Sequence, residues 1–160
     1  MMGVAKVDTN KLETKLETKQ YIVVNIGEEQ YGIDISYVDN IVKMQKITRV
    51  PKSQKYFNGV INLRGEIVPI MSLRRRFALE EDVFTDKTRI IILKPEQQEP
   101  IGIIVDMVKE VVNLSEQDVD KMAIDAQDEL SKYICGIGKN NNNNTLISLL
   151  NINNVIAENQ

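Results

Sequence analysis

The sequence predicts an all-β fold: two small barrels of about five strands each, packed side by side, with a few short helices. Three observations carry that expectation. Short runs rich in Val, Ile and Leu recur along the 160 residues, separated by turns containing Gly, Pro or Asn. The stretch Tyr56-Phe57-Asn58-Gly59-Val60-Ile61-Asn62-Leu63-Arg64-Gly65-Glu66-Ile67-Val68-Pro69-Ile70 reads as a tight hairpin turning on Arg64-Gly65. The second half also repeats the first. Gly32-Ile33-Asp34-Ile35-Ser36-Tyr37-Val38-Asp39-Asn40-Ile41-Val42 aligns with Gly102-Ile103-Ile104-Val105-Asp106-Met107-Val108-Lys109-Glu110-Val111-Val112. Tyr56 to Val60 aligns with Tyr133 to Ile137, and Glu66 to Leu73 with Thr145 to Ile152. Five strands cannot bury both faces of an open sheet, so each unit curls, and two barrels in contact share a third core.

Along the chain, residues 1–20 are polar and read as a flexible tail. Residues 21–79 are expected to form the first barrel, 80–88 a charged connection, and 89–160 the second barrel, together one domain. Tyr21 to Ile26 and Gln30 to Ile35 are strands around a charged turn, followed by a corner at Ser36 and a third strand. Pro51 is placed to start a short helical turn through Lys55. In the hairpin, Leu63 faces Glu66 and Asn62 faces Ile67. Its strands, apolar on both faces, call for protein on both sides. Pro69 has no N–H and belongs at an edge or bulge. Ser72 to Phe77 is a short helix, and Ser115-Glu116-Gln117-Asp118 has the spacing to start another. Residues 140–144, all Asn, read as a flexible loop in which nothing packs.

Composition narrows the function. The net charge is −3 with 27% charged residues, whereas a nucleic-acid module carries a basic excess. There is no His for a triad, and neither a cluster of metal ligands nor a phosphate-binding glycine loop is recognisable. Neither catalysis, nor a cofactor, nor a metal is expected. Cys135, the single cysteine, sits in a strand pattern and reads as buried packing. It can form no internal disulfide, and the sequence shows no signal peptide or membrane-length apolar run, which points to a reducing cytoplasm. Arg74-Arg75-Arg76 is read as the polar face of its helix rather than a phosphate patch. Arg64, at the hairpin tip, either binds a partner or pairs with Asp39 or Glu66. Gly59 serves either close partner approach or a bulge.

The segments Glu29 to Ile35, Asn58 to Ile70 and Gly102 to Asp106 closely resemble the CheW family, the coupling proteins of bacterial chemotaxis, over residues 20–158. That resemblance implies a pair of five-stranded SH3-like barrels. It implies an adaptor between membrane chemoreceptors and a chemotaxis histidine kinase, in signalling arrays where copies alternate with the kinase's related regulatory domain. The protein would be cytoplasmic, recruited to arrays at the inner face of the membrane, without inserting in it. Carried over by position, receptor contacts fall on Val38, Gly59, Arg64, Val108 and Val111. They would line a groove between the barrels that takes the receptor's helical tip. Kinase contacts are expected at the barrel ends, without assigned residues. Asn40 stands where many relatives carry an acid, so Arg64 lacks that ion-pair partner. The chain ends soon after the second barrel, which favours a stand-alone coupler over a fusion with a receiver domain. The alternative is a small-barrel RNA- or ribosome-binding module using Arg64 and the Arg74 to Arg76 run, with few aromatic platforms and a charge of the wrong sign.

Overall fold

The computed structural model describes residues 17–121 and 129–157. Its strands are β1 (Thr18–Ile26), β2 (Glu29–Asp34), β3 (Val38–Lys43), β4 (Phe57–Leu63), β5 (Glu66–Ser72), β6 (Arg89–Leu93), β7 (Ile101–Val105), β8 (Met107–Ser115), β9 (Val119–Asp120), β10 (Ile134–Asn140) and β11 (Thr145–Leu150). Two short helices follow the two hairpins, α1 (Leu73–Arg76) after β5 and α2 (Ile152–Ile156) after β11. Single 3-10 turns occupy Ile35–Tyr37, Glu116–Asp118 and Glu129–Tyr133. The second of these starts from the Ser115 capping box that the spacing predicts.

One sheet has the order β8-β1-β2-β11-β10-β9 and the other β3-β6-β7-β5-β4. The second closes on itself where Thr48 and Val60 exchange backbone hydrogen bonds of 2.9 and 2.8 Å. In the first, the curl brings β8 against β10, with Leu114 beside Gly138. Three cores result. Val23, Val112, Leu114, Ile147 and Leu149 fill the first barrel. Ile61, Val68, Ile70, Ile90, Ile92 and Ile104 fill the second. The largest cluster lies outside both, holding Ile22, Val24, Ile33, Ile91, Leu93, Ile103, Phe77 and Tyr133 among others. Two barrels and a shared core are thus present as the sequence implies.

The boundary between them is not where the sequence placed it. β1 and β2 pair with second-half strands, and β6 and β7 with first-half strands, so residues 21–79 and 89–160 are not separate barrels. The reason is chain length. Between β2 and β3 there are only Ile35–Tyr37, and between β7 and β8 only Asp106. Neither is long enough to double back, so the chain passes into the neighbouring barrel. Residues 80–88 instead join α1 to β6 within one barrel. The swap is two-fold symmetric in register. Gly32 pairs in parallel with Leu149, and its repeat counterpart Gly102 with Ile70, the counterpart of Leu149.

Extra residues interrupt four ladders at matching places, Asp39 and Lys109 in one pair, Asn58 and Cys135 in the other. Each bulge turns the following side chains to the other face of the sheet. Val38 therefore packs on the shared core while Val42 packs inside its barrel. Val108 and Val112 divide in the same way. The caps match too: Ser72 accepts from the Arg75 N–H and Asn151 from the Asn154 N–H.

Four local expectations are corrected. β1 begins at Thr18, paired with Ser115, so residues 18–20 belong to the barrel; residues 1–16 lie outside the described residues. Pro51-Lys52 forms a turn, with Lys52 at φ 65°, a value that a right-handed helix does not admit. Cys135 is exposed, because the bulge lifts it out of the strand alternation. Asn140 is buried and donates to the Glu110 carboxylate at 3.1 Å, and Asn141 donates to Asp118 at 3.0 Å, so the asparagine loop is tied down.

Candidate functional site

The central hairpin has the expected register, Leu63 opposite Glu66 and Asn62 opposite Ile67. Arg64 at φ 54° and Gly65 at φ 87° make the left-handed turn that suits twisted strands. The Asn62 side chain accepts the Gly65 N–H at 3.0 Å and fixes the tip. Pro69 sits one residue before the parallel ladder to β7 begins at Ile70, where no donor is needed. The hairpin is not covered on both sides towards its tip: Ile67 is 64% exposed.

Arg64 is exposed, and neither Asp39 nor Glu66 pairs with it among the described residues. Asn40 spends its side-chain oxygen on the Ile41 N–H at 2.9 Å, which blunts the edge of β3. In the other barrel Glu110, the counterpart of Asn40, holds Asn140 of the hairpin. Among the described residues the first hairpin lacks that tie, and its arginine makes no ion pair.

Gly59 is a structural position. It follows the bulge at Asn58, has φ 140°, and a Cβ there would lie 2.1 Å from the Thr48 carbonyl oxygen. The closing strand of the barrel passes directly over it, which decides for the bulge reading without touching the question of a partner. A small, mostly apolar dimple lies beside it, lined by Val50, Ser53, Phe57, Gly59, Val60 and Pro69.

Val38 and Val108, equivalent in the repeat, both pack against the rim of the shared core. Val38 stands opposite Leu93, and Val108 opposite Val24, both members of that core. Val111, opposite core residue Ile22, is 51% exposed. Directly opposed residues share a face of a sheet, so these three valines lie on the inter-barrel faces of β3 and β8. Arg64 and Gly59 belong to the second barrel's hairpin and contribute nothing to this cluster.

The three consecutive arginines are consumed internally. Arg74 grips Asp106 through Nε and Nη2 at 3.1 and 2.5 Å and reaches the Glu80 carbonyl. Asp106 also accepts the Gly27 N–H at 2.7 Å. Burial works against the Asp106 charge, but the Arg74 and Gly27 hydrogen bonds outweigh it and hold the carboxyl below the usual carboxylate range. Arg75 binds Glu81 and the Lys55 carbonyl. Arg76 donates to the carbonyls of Val155 and Ala157 at the end of α2, and lies 4.2 Å over the Tyr56 ring and 5.4 Å from Tyr133. Tyr56 and Tyr133 are repeat counterparts, so Arg76 sits between the two halves. Sequence reasoning missed these roles because every acceptor but Glu80 and Glu81 is distant in the chain. Cys135 is exposed, but its Sγ faces the Leu150 carbonyl and is partly desolvated there, which pushes the thiol pKa up, away from nucleophilic use.

Among the described residues no cluster of three potential metal ligands exists, and no helix is long and apolar enough to cross a membrane. The family model for the CheW-like domain matches residues 20–160. The chain is 36% identical to the chemotaxis protein CheW of Bacillus subtilis, with 86% of each protein covered. It is 33% identical to CheW of Klebsiella aerogenes, covering 86% of this chain and 81% of that protein. Among solved structures it is similar to the scaffolding protein TtCheW of Thermoanaerobacter tengcongensis. That match has 30% identity and a TM-score of 0.78, over 89% of this chain and 95% of that one.

Proposed function

The chain belongs to the CheW-like family of chemotaxis scaffolding proteins, and from that premise we propose that it couples chemoreceptors to the chemotaxis histidine kinase. It acts as an adaptor rather than a catalyst, in the cytoplasm, at receptor arrays on the inner face of the membrane. The receptor's helical tip lies in the groove between the barrels, against Val38, Val108 and Val111, with Arg64 at the hairpin side and Gly59 shaping the strand behind it. The kinase's regulatory domain binds elsewhere, towards the barrel ends.

The observation that supports this most is Arg64. An arginine in a left-handed conformation is a costly choice at a turn that Asn or Gly would fill more easily. Among the described residues it makes no ion pair, which leaves its charge available to a partner. The RNA-binding alternative loses ground for a complementary reason: Arg74, Arg75 and Arg76 are all committed within the protein.

The test is Arg64→Ala, titrated with a receptor-tip fragment and with the kinase regulatory domain. Losing a charged hydrogen bond at an interface costs about 1.5–3 kcal/mol, roughly ten- to hundredfold in affinity. Receptor binding should fall by that factor while kinase binding and the melting temperature hold. Equal losses for both partners, tracking a lower melting temperature, would make Arg64 a structural residue.

A further inference from the structure

We infer that the cleft between the β3–β4 connection and α1 binds a compact phosphate-bearing anion, a reading that does not rest on the function proposed above. The distribution of charge points there first. Residues 40–65 carry six cations, Lys43, Lys46, Arg49, Lys52, Lys55 and Arg64, and no Asp or Glu. The whole chain has a net charge of −3, so all other residues together sum to −9. A positive potential is thus concentrated on one connection of an otherwise acidic protein, and it draws anions to that face.

The fold gathers three of these cations into a concave site. Arg49, Lys52 and Lys55 line a cleft of about 560 Å³ together with Arg75 of α1, a size that suits a small molecule. The one acid lining it among the described residues is Glu81, whose carboxylate accepts from Arg75 Nε at 3.0 Å. Arg49, Lys52 and Lys55 are exposed and make no ion pair among the described residues. The walls are held in place without a ligand. Arg75 Nη1 donates to the Lys55 carbonyl at 3.0 Å, which pins the end of the connection to α1. Ser53 Oγ donates to the Val50 carbonyl at 2.9 Å, and the Phe57 N–H to the Gln54 carbonyl at 3.0 Å. Lys52 takes φ 65° in the turn after Pro51, a backbone state that Asn or Gly adopts more readily. Four cations against one committed carboxylate leave a surplus of three positive charges. A phosphate group brings about two negative charges where a carboxylate brings one, and its oxygens match guanidinium and ammonium donors. Linked phosphates are the compact ligand that balances such a surplus.

The experiment titrates inorganic tripolyphosphate into the full chain by calorimetry at fixed ionic strength. Sedimentation with phosphatidylglycerol vesicles, against phosphatidylcholine vesicles, is the second arm, and an oligoglutamate peptide the third. The variants are Arg49→Gln, Lys52→Asn and Lys139→Gln. Asparagine accepts the left-handed backbone, so the turn at Lys52 persists, and thermal melts check all three. Lys139, exposed on β10 of the other barrel, removes the same charge away from the cleft. Arg49→Gln and Lys52→Asn should each weaken binding about tenfold, the loss of one charged hydrogen bond, and Lys139→Gln should leave it unchanged. Tripolyphosphate binding without vesicle binding would identify a soluble phosphate compound as the ligand. Vesicle binding that the two cleft variants weaken would identify a lipid headgroup. Binding of neither probe, or equal losses in all three variants, would overturn the site. Oligoglutamate bound as tightly as tripolyphosphate would overturn the phosphate assignment and make the cleft a seat for an acidic peptide.

Discussion

Asp106 is the single residue through which most of the local architecture passes. It forms the whole connection between β7 and β8, and so one of the two crossings between barrels. Its carboxylate gathers the Arg74 fork from α1 and the Gly27 N–H from the turn between β1 and β2. Because its folded pKa is lowered, the stability it contributes is present at neutral pH and above. That stability is lost as pH falls through the lowered value. Asp106→Asn should therefore destabilise the protein at pH 7 by about 1–2 kcal/mol, a range discounted for partial exposure of the pair. Denaturant melts from pH 7 down to pH 3 should show the difference from wild type shrinking as acid removes the charge. A difference constant across that range would mean that packing, not the ion pair, holds the corner. Nothing local in the chain marks this role, since Asp106 reads as one more carboxylate after a strand and Arg74 lies 32 residues away. Arg64 was more legible, because a two-residue turn fixes its place by short-range geometry alone.

Among the elements, the central hairpin, the helix capped by Ser72, the corner at Ser36 and the turn capped by Ser115 were readable because each depends on neighbours a few residues apart. The bulges were not. An inserted residue leaves the apolar pattern plausible while it reverses which face each side chain occupies, as Val38 and Val42 show. Asn140 was misread for a related reason: its partner Glu110 lies in another strand, and a run of asparagines carries no mark of burial. Gly59 is where an element-scale constraint decides a functional experiment. Gly59→Ala sets a Cβ against the Thr48 carbonyl and strains a positive φ. We expect a loss of stability of about 3 kcal/mol or more, and weaker binding of receptor and kinase in the same proportion as the loss of folded protein. Urea melts alongside both titrations check this. Full stability with a selective receptor defect would show that the backbone can yield there, and would make Gly59 a contact position.

For the whole molecule, the class of fold and the shared core followed from the repeat, whose apolar positions agree in register. The exchange of strands between halves did not, because alignment says which residues are equivalent and nothing about which half they pair with. Crossings as short as Ile35–Tyr37 and Asp106 decide that. The consequence is functional. With β3 in one barrel and β8 in the other, the counterparts Val38 and Val108 rim one core, and that core together with the two short crossings ties the barrels to each other. Under the proposed function, such a body would hold a receptor tip and a kinase domain in fixed relation. That coupling is tested most directly by immobilising a receptor-tip fragment and measuring retention of the kinase regulatory domain while the concentration of this protein is varied. Retention should be negligible without the protein, rise as it is added, and fall again when excess free protein saturates both partners separately. Kinase domain held equally with and without the protein, or receptor and kinase domain displacing each other from it, would contradict the coupling account.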